Sequence, residues 1–173
     1  MWPILTGCIK LWTHDAGAGK TGMSEFTVQD FNQLAEERLP FAELMGLQLQ
    51  SIDPDGVWMR ACYSERFLRP GGTIAGPVMM GLADAAVYVL ILSRIGPVEL
   101  AVTTSLNINF LRKPAPGDIL ARATSLKFGK RLVIGEVAMY SAVEDFTGDM
   151  DSLGDIVAHA TATYSIPPVK NPS

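Results

Sequence analysis

Residues Gly76 to Ile95 read GPVMMGLADAAVYVLILSRI, a run apolar on nearly every face with a single acid, Asp84, in its middle. No other stretch limits the fold so sharply. Pro77 suits the first turn of a helix, where its missing N–H costs nothing, and Gly96-Pro97 is a stop signal. Ala, Leu and Met favour helix, and nothing between Pro77 and Arg94 breaks it. A helix that is apolar all round must be enclosed on most sides. Enclosure makes Asp84 expensive unless a partner satisfies it or a reaction uses it. Two readings compete with a working carboxylate. One is a membrane span of about twenty residues, which a mid-span acid and the strand-like alternation downstream both oppose. The other is a structural acid held by backbone donors or an arginine.

A chain of 173 residues suits one domain with a substantial core. The net charge of −4 argues against nucleic acid as a partner, since that function wants a basic face. Cys8 and Cys62 have neither metal-ligand spacing nor a disulfide framework, which fits a reducing, cytoplasmic setting. Residues 1–22 differ in pattern from the rest and are expected to be an N-terminal extension, with a single domain over residues 23–173. Inside the extension, DAGAGKTG invites a phosphate-loop reading. His14 stands where the motif needs its first glycine, however, and no apolar strand precedes it, so a flexible linker is the better account.

Thr27 and Asp30 form a capping-box pattern for a first helix with an apolar stripe at Phe31, Leu34 and Ala35. After a turn over 41–45, strands are expected at 47–52 and 57–64, joined as a hairpin by Asp53-Pro54-Asp55-Gly56. A loop over 65–75 leads into the long helix. Beyond it, four segments keep the strand period of two: 100–110, 119–127, 131–142 and 155–166. In the first of these, Leu100, Val102, Thr104, Leu106, Ile108 and Phe110 share one face, and Thr103, Ser105, Asn107 and Asn109 the other. This order of elements predicts an α+β fold, a curved antiparallel sheet wrapped around one long central helix.

From about Leu44 to Ile166 the chain resembles the hotdog-fold acyl-CoA thioesterases, in their phenylacetyl-CoA thioesterase-like branch. The resemblance rests on Gly72, Gly76, Leu82-Ala83-Asp84-Ala85, Asn107-x-Asn109-Phe110-Leu111, Gly129-Lys130-Arg131 and the closing Val157-Ala158-x-Ala160-Thr161-Ala162-Thr163-Tyr164. The branch pattern reads Asn-Pro-x-Gly-x-x-His-Gly-Gly, with an acid nine residues after the His. Pro70, Gly72, Gly76 and Asp84 match it. Arg69 replaces the Asn, Ala75 the His and Pro77 the second Gly. The resemblance implies that Asp84 serves as general base or nucleophile at a thioester, and that the Gly76 N–H polarises the carbonyl. It also implies acyl-CoA as substrate, no separate cofactor, and a homodimer or tetramer with its site at the subunit interface.

The residues themselves support parts of that expectation. A helix N-terminus offers free N–H groups and a positive dipole end. Asp84 lies eight residues beyond Gly76, about 12 Å along the axis, so the two are not expected to meet at one carbonyl within one chain. By helical spacing, Gly81 and Tyr88 flank the acid. Gly81 is expected to leave room for an acyl group, and Tyr88 either bonds the carboxylate or is satisfied elsewhere in the core. Thr103 and Thr104 are second-tier candidates. Lys130 and Arg131, with Arg112, Lys113 and Lys127, could meet coenzyme A phosphates. His14 and His159 assemble neither a catalytic triad nor a metal site, so no metal is expected.

Overall fold

The computed structural model describes residues 25–142 and 153–168. The extension with Cys8, His14 and DAGAGKTG lies outside the described residues, as do residues 143–152. Helix α1 (Val28–Arg38) starts with the expected box: Asp30 N donates to Thr27 Oγ1 and Thr27 N to Asp30 Oδ2, at 3.2 and 2.7 Å. Phe31 and Ala35 face inward. A short helix α2 (Pro40–Leu44) stands where a turn is expected, with Pro40 in its first turn.

Strands β1 (Leu47–Asp53) and β2 (Gly56–Ala61) form the predicted hairpin. Asp53 Oδ1 closes it by accepting from the N–H groups of Asp55 and Gly56, at 2.9 and 3.0 Å. Only glycine fits at position 56, because a Cβ there would lie 2.1 Å from Ala123 O. The expected loop before the long helix holds a small hairpin of β3 (Leu68–Arg69) and β4 (Thr73–Ile74). It turns through Gly71 and Gly72 at φ of 97° and 70°, conformations that favour glycine. Helix α3 occupies Gly76–Ile95, the predicted span, and stops at Gly96 (φ 81°). The remaining strands among the described residues are β5 (Val102–Phe110), β6 (Ile119–Phe128), β7 (Leu132–Ser141) and β8 (Ile156–Ser165).

Among the described residues, six strands form one antiparallel sheet in the order β1-β2-β6-β7-β8-β5, and α3 packs against all six. Although α3 is long and apolar enough to cross a membrane, 67% of its most apolar window is buried inside the fold. Leu82, Ala83, Ala86, Val87, Leu90 and Ile91 are fully buried against the sheet. Full burial of each larger side chain contributes about 1.5–3 kcal/mol. The sheet meets them with small residues, including Ala121, Ala123, Ala158 and Ala160. At Gly135 a Cβ would come within 3.0 Å of both methyls of Val87. The α+β arrangement of one antiparallel sheet around one long helix is the one expected.

Strand β5 departs from its expected faces. Thr103 pairs with Tyr164 and Ser105 with Thr163, so Thr104 is an extra residue, a β-bulge. Beyond it the alternation is as predicted: Leu106 and Ile108 pair with the buried Ala162 and Ala160 on the helix side. Before it the phase is reversed, and Thr103 joins the helix-facing set.

Candidate active site

The buried surface of α3 is interrupted by a stripe of half-buried residues, Gly81, Asp84, Ala85 and Tyr88, spaced along one side of the helix. Asp84 is therefore neither sealed in nor fully exposed. Thr103 Oγ1 donates to Asp84 Oδ1 at 2.5 Å. The Tyr164 hydroxyl lies 2.7 Å from the same Oδ1 and 2.9 Å from the Asp84 main-chain oxygen. Asp84 Oδ2 accepts no hydrogen bond among the described residues. Burial, and next the Asp84 charge, push the Tyr164 phenol far above its ordinary range despite an opposing hydrogen bond with Thr103. It stays protonated and can donate. The site thus offers a carboxylate with one oxygen held and the other open.

Tyr88 takes the second of its two expected roles, its hydroxyl donating to Glu99 O at 3.3 Å and not to the carboxylate. Its ring instead stacks on Tyr164, with centroids 6.4 Å apart and planes 30° from parallel. The room expected beside Gly81 is taken up by Met45: a Cβ there would meet its Sδ and Cε at 2.7 Å, so an acyl group would enter only as that flexible thioether end moved aside. Thr104, displaced by the bulge, donates to Thr163 O at 3.1 Å and not to Asp84. The expectation that Thr103 shares a face with Ser105, Asn107 and Asn109 fails for the same reason.

At the start of α3, Ala75 is the N-cap and supplies no side-chain bond. Its N–H donates to Phe67 O at 2.8 Å. The Gly76 N–H has no partner among the described residues, and Pro77 has none to give. The Phe110 ring covers this corner, 3.0 Å from where a Gly76 Cβ would be. Arg69, Gly72 and Ala75 are gathered here by the β3–β4 hairpin, which Thr73 ties down by donating to Pro114 O at 2.8 Å. Gly76 thus sits by Phe110, at one end of β5, and Asp84 by Thr103, at the other. Eight residues of α3, about 12 Å along its axis, separate the two groups, so one chain does not bring both to one carbonyl.

Lys130 and Arg131 are exposed in the β6–β7 turn. Ile166 N donates to Arg131 O at 2.9 Å, and Leu132, Ser165 and Val102 are in register across β7, β8 and β5. Both basic residues therefore stand at the Asp84 end of the sheet. His159 lies apart, its Nε2 3.4 Å from Glu136 Oε2. No group of three potential metal ligands occurs among the described residues. An open groove of about 450 Å³ beside α1, lined in part by Phe26, Leu34, Arg38 and Glu99, contains none of the candidate site residues.

Sequence reasoning did not place Tyr164 at the site. Its signal was a large hydroxylated residue ending the small, helix-facing row Ala158, Ala160, Ala162.

Residues 71–145 match the family model described as the thioesterase superfamily. A "putative thioesterase" from Silicibacter sp. TM1040 is 38% identical, with a TM-score of 0.70 over 85% of this chain and 96% of that one. A variant of the phenylacetic acid degradation protein PaaI from Thermus thermophilus is 26% identical. It has a TM-score of 0.60 over 74% of this chain and 99% of its own. A thioesterase from Haemophilus influenzae shares the fold at 18% identity, with a TM-score of 0.71 over 86% of this chain and 95% of that one.

Proposed function

The chain belongs to the thioesterase superfamily, with the hotdog fold, and from that premise we propose that it hydrolyses a small or medium acyl-CoA thioester with Asp84 as the reacting acid. The observation that carries this reading is the state of that carboxylate: half-buried, held at Oδ1 by Thr103 and Tyr164, and open at Oδ2. As general base, Asp84 takes a proton from water as the water oxygen attacks the carbonyl carbon; the C–S bond then breaks and that proton passes to the leaving thiolate. As nucleophile, Asp84 attacks the carbon itself and displaces the thiolate, and water hydrolyses the resulting anhydride, freeing the carboxylic acid and supplying the proton that the thiolate takes up. In either case the carbonyl oxygen gains negative charge, and the products are a carboxylic acid and the free thiol of coenzyme A. A backbone donor at the developing oxyanion is the Gly76 N–H.

In this reading two copies build each site. Among the described residues β5 is an edge strand, with only β8 beside it and with Val102 and Phe110 exposed. An unpaired edge readily pairs with another chain. Two copies of β5 running antiparallel bring the Thr103–Asp84 end of one beside the Phe110–Gly76 end of the other, closing a gap that one chain leaves open. Lys130 and Arg131, at the Asp84 end, face the phosphates of coenzyme A.

A panel of acetyl-, butyryl-, octanoyl- and phenylacetyl-CoA with detection of released thiol tests the proposal. Turnover of at least one substrate by the native chain, lost by at least a thousandfold in Asp84→Asn, is expected; undiminished turnover by that variant refutes it. Ala75 and Pro77 favour a second reading, an acyl-CoA-binding protein of weak turnover, because they leave fewer donors at the helix start than the branch pattern has. Binding of the same panel without thiol release identifies that case.

A further inference from the structure

We propose that Tyr164 is a positioning residue for this hydrolysis, orienting Asp84 so that Oδ2 rather than Oδ1 meets the reacting water or carbonyl. The inference rests on the thioesterase reading and adds a residue to it. An aspartate carboxyl turns broadly about its last bond, and an exposed one presents either oxygen. Here Oδ1 faces two hydroxyls, at 2.5 Å from Thr103 and 2.7 Å from Tyr164. Thr103 sits at the β5 bulge, where the ladder is interrupted, whereas Tyr164 is 2% exposed within one chain and lies in register between Val133 and Thr103. Its ring is further fixed by stacking on Tyr88. Tyr164 is therefore the rigid member of the pair.

A buried tyrosine needs an acceptor in any case, and the Asp84 main-chain oxygen at 2.9 Å would suffice. The hydroxyl also reaches the carboxylate, at a shorter distance. One hydroxyl proton with two acceptors can favour the carboxylate while it is charged and share itself with the main-chain oxygen once Asp84 has taken up a proton. The raised phenol keeps that proton in place throughout.

The test compares native protein, Tyr164→Phe, Thr103→Val and Asp84→Asn in steady-state hydrolysis of whichever acyl-CoA of the panel the native chain turns over fastest. Tyr164→Phe keeps the buried ring, and Thr103→Val reaches the same oxygen from the exposed edge, so the pair does not depend on one variant folding. A hydrogen bond to a charged group lost in the transition state corresponds to about a ten- to hundredfold fall in rate. The expected result is a fall of that size in kcat for Tyr164→Phe and a smaller one for Thr103→Val, with KM within about twofold of native. A purely structural role predicts lower thermal stability with native kcat. Native kcat in both hydroxyl variants, with Asp84→Asn inactive, overturns the positioning role and leaves the thioesterase reading standing. Native turnover by Asp84→Asn overturns both.

Discussion

Gly76→Ala separates the two things a glycine at a helix start can do. Its φ is not in the left-handed region, so the backbone itself accepts alanine. Alanine is the better helix former by up to about 1 kcal/mol, and at this first position the gain is smaller. The added methyl would lie 3.0 Å from Phe110 Cζ. That contact is tight by a few tenths of an ångström, and the ring is 52% exposed, so it can swing away. Melting temperature should therefore stay within about 2–4 °C of native, the shift expected from about 1 kcal/mol in a chain of this size. The chemistry should fare differently. An alanine N–H donates as well as a glycine N–H, so any loss must come from the added methyl crowding the thioester as it approaches that N–H, and an oxygen held beyond about 3.5 Å is effectively unbonded. Loss of one oxyanion donor costs about 10²–10³ in kcat. Thiol release by Gly76→Ala should fall by that factor on the best acyl-CoA, with the melting curve unchanged. Native kcat would refute close approach of the substrate as the reason for a glycine here. So would recovery of activity when Phe110→Ala is added, since the loss would then have come from displacing the ring.

Replacing Lys130 and Arg131 together by alanine should raise KM for acyl-CoA about tenfold while leaving KM for the matching acyl-pantetheine thioester, which lacks the phosphates, within twofold; equal changes for both substrates would refute a phosphate role. Asp53 provides a test of pH dependence, because burial alone would raise its carboxyl, yet the Arg122 guanidinium, at 2.5 and 2.7 Å, and the N–H groups of Asp55 and Gly56 hold it below its ordinary value. A depressed carboxylate adds stability above its unfolded value, near pH 4, and loses that contribution as pH falls through its folded value. The difference in melting temperature between native protein and Arg122→Gln should thus narrow from pH 7 to pH 3, and a constant difference would contradict the pairing.

Helix α3 was legible to the residue because both of its signals are local: Pro77 and Gly96 at the ends, and unbroken apolarity between them. The long strands were legible to within one to three residues, since alternation survives wherever one face is buried. The β3–β4 hairpin was not, because two-residue strands have no period to detect. Met45 in the space over Gly81 was equally out of reach. A glycine announces room, and only packing decides whether substrate or a neighbour fills it. Asp84 stood out as a charge in an apolar run, yet its partners come from β5 and β8, nineteen and eighty residues away in the chain. Helical spacing offered Tyr88, the right residue type on the wrong element. Tyr164 reaches the acid because the sheet lays β8 beside β5, and pairing of that range is a property of the whole fold.

The extra residue at Thr104 decides which of two neighbouring threonines meets the acid. Regular alternation running back from Ser105 would seat Thr104 opposite Tyr164, whereas the bulge skips it and seats Thr103 there. Deleting Thr104 would straighten the strand and keep the Thr103 hydroxyl beside Asp84, and deleting Thr103 instead would bring in Thr104. Only the loss of both would advance Val102 to that place and set an isopropyl group against the carboxylate. The strand can thus shorten by one residue here and still present an alcohol to the acid.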